Sequence, residues 1–182
     1  MLVDFIVLIF EIQIMTMSEK KMILTSESAN QKLHRMALEL AENLSGSAAD
    51  VILIGVRTNG LVIAQKIAEL LKPYISNKIA IISVSLNKQL PKEVVLSENT
   101  NLNDLNLVLI DDVANSGKTL LYALKPLLAF YPRTIQTLVL VERMYKLYPV
   151  KPDYVGISVA TTPENHIEVE VSDGQIMGAY VI

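Results

Sequence analysis

Apolar runs of strand length alternate with helix-periodic segments along this chain, and that alternation constrains its fold more than any other feature. Val51-Ile52-Leu53-Ile54-Gly55 is unbroken, and Ile79–Val84, Leu107–Ile110 and Ile135–Val141 follow at intervals. Runs without polar alternation suit strands covered on both faces, because neither side then meets water. Between them the pattern changes. Ser26 is placed to cap a helix with Glu27 in its first turn. Leu33, Met36, Ala37, Leu40, Ala41 and Leu44 then recur at helical spacing up to Gly46. Leu61–Leu71 repeats that period until Pro73, and a further helix is predicted over 117–130, kinked or broken at Pro126. Tyr154–Gly156, the alternating Ile167–Val171 and residues 175–182 are shorter β candidates. A β–α alternation of this kind predicts an α/β fold: a parallel sheet of four to five strands with helices on both faces.

At 182 residues the chain fits one domain with room for a full core. An apolar fraction of 51% and a net charge of -3 describe a globular protein and give no electrostatic footprint for nucleic acid. No cysteine is present, which excludes disulfides, thiol catalysis and thiolate-bound zinc. His34 and His166 stand alone, without metal-ligand spacing. Near the start, Phe5–Phe10 is apolar but too short to span a bilayer, and it lacks the flanks of a signal peptide. Met17 opens an ordinary polar start, so residues 1–21 are expected to be an extension outside a domain covering 22–182.

The third apolar run carries the most specific chemistry. It ends in Asp111-Asp112, followed by Val113-Ala114-Asn115-Ser116-Gly117-Lys118-Thr119 and a helix start. Ligands of open α/β sheets bind at the carboxyl ends of strands, where these acids fall. The turn offers free backbone N–H groups, an anion cradle. Carboxylates repel phosphate but accept hydrogen bonds from sugar hydroxyls, so the combination suits a ribose 5-phosphate. A P-loop is excluded: Gly117-Lys118-Thr119 matches its end, but Asp112 stands where its first glycine is required. Gly55-Val56-Arg57-Thr58-Asn59-Gly60 follows the first run, with glycines permitting close approach and Arg57 supplying positive charge. Residues 85–105 are polar, contain Pro91 and have no sustained period, as expected of a functional loop.

Residues 108–120 resemble the phosphoribosyl-pyrophosphate signature of type I phosphoribosyltransferases. The helix Leu33–Leu40, the run Val141-Glu142-Arg143-Met144 and Lys151-Pro152-Asp153-Tyr154-Val155-Gly156 are similar to the pyrimidine-operon attenuator and uracil phosphoribosyltransferase group. The resemblance covers residues 22–182. It implies that fold, with a small C-terminal hood near 142–182, and magnesium-assisted transfer of 5-phosphoribosyl to a nucleobase with release of pyrophosphate. By resemblance, Asp111 and Asp112 hold the ribose and, mostly through the substrate, the metal. Val113, Ala114, Asn115, Ser116, Gly117, Lys118 and Thr119 hold the 5-phosphate, and Arg57, Thr58, Asn59 and Gly60 receive the pyrophosphate. Residues 85–105 form a lid that closes over the reacting sugar, with Lys88 or Lys92 meeting the departing pyrophosphate, while Glu142, Arg143 and Met144 border the base.

This sequence also departs from the pattern. The group usually reads Val-Asp-Arg-Gly where Val141–Met144 stands and carries Arg at Asn59, and its lid has a Tyr-Arg-Asp run absent here. The hypoxanthine-guanine branch usually places an acid at Asn115 and a lysine at Glu142. Asparagine cannot serve as a general base. A pyrimidine acceptor of the uracil type is therefore expected, with a purine acceptor or a nucleotide-sensing regulator as alternatives. The resemblance further implies a cytoplasmic homodimer without membrane association. RNA, bound by attenuators of the group, is disfavoured by the acidic balance and the lack of a basic run.

Overall fold

The computed structural model describes residues 20–87, 93–162 and 164–182. Its main sheet has six strands in the order β4-β3-β2-β5-β6-β7. They are β2 (Val51–Val56), β3 (Ile79–Leu86), β4 (Val94–Leu96), β5 (Asn106–Ala114), β6 (Thr134–Arg143) and β7 (Tyr154–Val159). All neighbours pair in parallel except β4, which returns antiparallel along β3. A second sheet, β1-β9-β8, is antiparallel and combines β1 (Lys21–Thr25) with β8 (Ile167–Ser172) and β9 (Gln175–Val181).

Side-chain alternation divides the core into two layers. Val51 and Leu53 of β2 face α1 (Ser26–Leu44) and α2 (Asn59–Leu71), packing with Leu33, Met36, Leu40, Ile63 and Ile67. Ile52, Ile54 and Val56 point the other way, toward Leu120 and Ala123 of α3 (Lys118–Leu124) and Leu127 of the 3-10 turn Lys125–Ala129. Every residue of β2 and β5 is buried, which accounts for their unbroken apolar runs. The small sheet lies on the α1 side, where Ile167, Val169, Ile176 and Ala179 join the first layer. Lys20, just before β1, pairs with Glu168 of β8 at 2.9 Å, and that carboxylate raises the lysine's pKa.

The expected helices and the core strands are all present, with corrections at their edges. Thr25, not Ser26, caps α1: its side chain accepts from the Ser28 N–H, while Ser26 is already helical. Pro126 ends α3 as α-helix and leaves a 3-10 turn, consistent with its missing N–H. Residues 85–105 are not one open loop. β3 runs on to Leu86, Val94–Leu96 pairs back onto it, and Leu102 is fully buried. The polar residues between had hidden a short β-branched strand. Lys88 and Lys92 lie outside the described residues. The second sheet also differs from a hood over 142–182, since β7 belongs to the main sheet and β1 supplies a third strand from the other end of the chain. Lys21, one residue before the expected boundary, already pairs with Val181.

Lys151-Pro152-Asp153 has a structural role. Asp153 Oδ2 accepts from both the N–H (2.8 Å) and the hydroxyl (2.9 Å) of Thr137, and the Asp153 N–H donates back to that hydroxyl. These bonds fix where β7 starts along β6. Asp153→Ala should lower unfolding stability by about 1–2 kcal/mol, measured by urea denaturation.

Candidate active site

The strand order reverses between β2 and β5. From β2 the chain moves outward to β3, then returns to the other flank of β2 as β5. Loops leaving the two strands diverge there and open a crevice at the sheet's C-terminal end. Residues 57–60 and 113–119, assigned to one site from sequence, leave these two strands at that end.

Close packing makes the crevice narrow. Gly60, in the first turn of α2, lies so near β5 that a Cβ would fall 2.5 Å from the Ile110 carbonyl oxygen and 3.2 Å from the Asp111 Cα. A Cβ at Gly55 would similarly meet the Leu61 backbone at 2.4 Å. Both glycines are required by backbone approach. The Arg57–Thr58 peptide is cis. Arg57 is exposed and its Nε donates to Ser83 Oγ at 3.0 Å, steadying the guanidinium from β3.

Asp111 and Asp112 lie inside β5 and are 1% and 8% exposed. Each is oriented by the next residue: Asp111 Oδ1 accepts from the Asp112 N–H at 3.0 Å, and Asp112 Oδ1 from the Val113 N–H at 2.9 Å. Asp112 Oδ2 accepts from Asn59 Nδ2 at 2.8 Å. Each carboxylate oxygen can take more than one hydrogen bond. Two adjacent carboxylates also fit magnesium, which binds through one or two carboxylates plus substrate phosphates. Among the described residues no cluster of three or more metal-ligating side chains exists, so a metal here would depend on the substrate for its remaining ligands.

Residues 113–120 line a cavity of about 30 Å³. Gly117, with φ of 84°, turns the chain into α3. A second loop braces this one. The Ser116 carbonyl accepts from the N–H groups of Leu147 (3.1 Å) and Tyr148 (3.0 Å), and the Tyr148 and Val150 carbonyls sit beside Gly117. The side-chain oxygen of Asn115 is buried without a hydrogen-bond partner.

Across β6, Glu142 pairs in register with Ala114, which brings the third predicted segment to the same end. Its carboxylate is 7% exposed; it accepts from Ser158 Oγ at 2.9 Å and pairs with Lys146 Nζ at 3.1 Å. Arg143 is also buried, donating from Nε to Thr161 Oγ1 and from an Nη to the Thr162 carbonyl, both at 2.8 Å. Met144 projects into solvent at 66% exposure. Lys146, Ser158, Ser83 and the Val169 carbonyl escaped the sequence reading. Only Lys146 left a signal, four residues beyond Glu142; the others arrive from distant strands.

Two acids at a strand end, the loop 113–119 beside them and a glycine-lined loop opposite thus meet at one end of the sheet. Residues 19–173 match the phosphoribosyl transferase domain. The chain belongs to this family. Within it, the bifunctional protein PyrR of Leuconostoc citreum (strain KM20) is 32% identical over 164 residues, spanning 84% of this chain and 92% of that protein. The PyrR protein of Clostridium novyi (strain NT) is 29% identical, spanning 86% and 93%. The chain thus falls in the pyrimidine attenuator and uracil phosphoribosyltransferase group of type I phosphoribosyltransferases. Solved structures of hypoxanthine-type enzymes share the fold. That of Bacillus anthracis str. 'Ames Ancestor' superposes with a TM-score of 0.69 at 20% identity, covering 90% of this chain and 98% of the other. That of Trypanosoma cruzi gives 0.75 at 14%, covering 88% and 95%.

Gly60→Ala should separate α2 from β5 or displace Asp111, because the clash is with backbone. The expected outcome is at least tenfold weaker binding of phosphoribosyl pyrophosphate by calorimetry, in a protein that still shows a cooperative melt.

Proposed function

We propose that this phosphoribosyltransferase moves 5-phosphoribosyl from phosphoribosyl pyrophosphate to a ring nitrogen of a nucleobase, with release of pyrophosphate, and that the acceptor is a pyrimidine of the uracil type. The observation that carries the sugar half is the convergence of Asp111, Asp112 and two backbone loops at the strand-order reversal. The acids orient the ribose hydroxyls, loop 113–119 takes the 5-phosphate, and Arg57 with the backbone to Gly60 meets the pyrophosphate. Lys88 keeps its sequence-based assignment to the departing pyrophosphate, outside the described residues. Breaking the bond at the anomeric carbon builds positive charge on the sugar, which buried carboxylates nearby stabilise. Magnesium, when bound through the substrate and the two acids, supplies charge neutralisation on the pyrophosphate.

The acceptor half rests on the PyrR relatives and on two side chains. Asn115 stands where the hypoxanthine-guanine branch usually places an acid, and an amide cannot take that acid's part in proton transfer. Glu142 is held between Ser158 and Lys146, at the strand tip expected to border the base. Relatives named bifunctional support a second reading, a nucleotide-sensing regulator. Its mark would be salt-dependent RNA binding. On either reading the protein works as a homodimer in the cytoplasm.

A pyrophosphate-release assay with magnesium across uracil, hypoxanthine, guanine, xanthine and orotate tests the reaction and the acceptor together. Turnover with uracil above the purines is expected; turnover with purines alone would reverse the acceptor assignment. Asp111→Asn with Asp112→Asn should weaken binding of phosphoribosyl pyrophosphate more than tenfold, and unchanged affinity would refute the sugar site.

A further inference from the structure

Asn59 links three parts of the protein that are remote in sequence. It begins α2 just after the β2 loop. Its Nδ2 donates to Asp112 Oδ2 in β5 at 2.8 Å and to the carbonyl of Val169 in β8 at 2.9 Å. A carboxylate oxygen and a backbone carbonyl can only accept, so the amide nitrogen must face both, and both its hydrogens are used. Val169 belongs to the small sheet, packed over α1 and α2. Asn59 is partly buried, where a misdirected dipole is costly. A side chain committed to two internal acceptors is not a pyrophosphate ligand in this arrangement, which separates it from its loop neighbour Arg57.

We infer that Asn59 is a positioning residue: it sets the Asp112 carboxylate for ribose binding and makes that setting depend on the docking of the small sheet through Val169. The inference rests on the phosphoribosyl reading of the site and adds a coupling to it. When β8 is seated, one hydrogen of the amide is held and the other aims at Asp112. When β8 lifts, the amide loses one of the two acceptors that fix it and is free to turn away from Asp112. Any group that seats the small sheet therefore improves the sugar site, and a bound sugar phosphate steadies the small sheet in return, as linkage requires.

Two measurements on the full-length protein test this. The first needs no ligand: amide hydrogen exchange of residues 167–172 in wild type, Asn59→Ala, Asp112→Ala and the double variant, with residues 51–56 as internal control. Exchange should speed up about tenfold across 167–172 in Asn59→Ala, with 51–56 unchanged. Asp112→Ala should give part of that effect, and the double variant should exchange no faster than Asn59→Ala. Acceleration spread evenly over the chain, unchanged exchange in β8, or effects of the two substitutions that multiply would overturn the coupling.

The second is calorimetric binding of phosphoribosyl pyrophosphate with magnesium. Asn59→Ala should weaken binding about tenfold, the scale of one lost hydrogen bond to a charged group. Asn59→Asp, of the same shape, should weaken it further by facing two acceptors with a third. Affinity in Asn59→Asp equal to or above wild type would overturn the positioning role. Wild-type protein that does not bind phosphoribosyl pyrophosphate would instead refute the sugar-site reading, and with it the ribose half of the inference, while the exchange data still decide the bridge to the small sheet.

Discussion

The contact between Gly60 and β5 is the constraint on which the rest of the site depends. A parallel sheet needs a crossover after each strand, and the crossover after β2 is α2. That helix starts almost on top of the β5 backbone, with room for a hydrogen but not a methyl group. The approach puts the β2 loop within side-chain reach of Asp112, and Asn59 spans the remaining gap. Without it, the two loops would flank the crevice at a distance set only by strand spacing. Gly55, against Leu61, fixes the same helix from the other direction.

Backbone hydrogen bonds at the end of β5 explain why two acids can sit in a buried strand. Its nine residues are all buried, and two ionisable ones in such a strand would ordinarily be destabilising. Both sit at the C-terminal end, and backbone N–H groups of Asp112 and Val113 satisfy one oxygen of each. Those bonds, with the Asn59 amide on Asp112, also choose the rotamers, so the carboxylates are oriented in advance. Preorganisation of this kind reduces what ligand binding must spend on ordering. The loop at 113–119 is braced in the same manner by Leu147 and Tyr148, which makes residues 144–150 part of that loop's support although they carry no recognisable motif.

The sequence was most legible where one physical cause dominates locally. Unbroken apolar runs and period-3.6 patterns marked the core strands and helices, and the pairing of acids with a small-polar turn marked the candidate sugar side at the end of β5. Reading failed where partners lie far apart along the chain. β1 forms a strand because Lys21–Thr25 meets β9, more than 150 residues away, and five residues of mixed character announce nothing by themselves. The strand at Val94–Leu96 was lost among polar neighbours for a similar reason. Ser158, Ser83 and Val169 join the site through strand register, which no local pattern encodes.

The departures from the family pattern at Asn59 and Glu142 acquire a common sense in the structure. Where the group usually carries a long cation, Asn59 offers a short neutral amide whose donors are consumed by Asp112 and β8. Where the purine branch carries a lysine, Glu142 instead receives one from four residues downstream, Lys146, with Ser158 on its other oxygen. In both places a group that could reach outward to a ligand is replaced by one that closes an internal connection between elements. On the proposed function, positive charge for the pyrophosphate then falls more heavily on Arg57, which is exposed and steadied by Ser83. On the same reading, the base side meets a Glu142–Lys146 pair closed at 3.1 Å, with Ser158 on the other carboxylate oxygen, in place of a single outward cation.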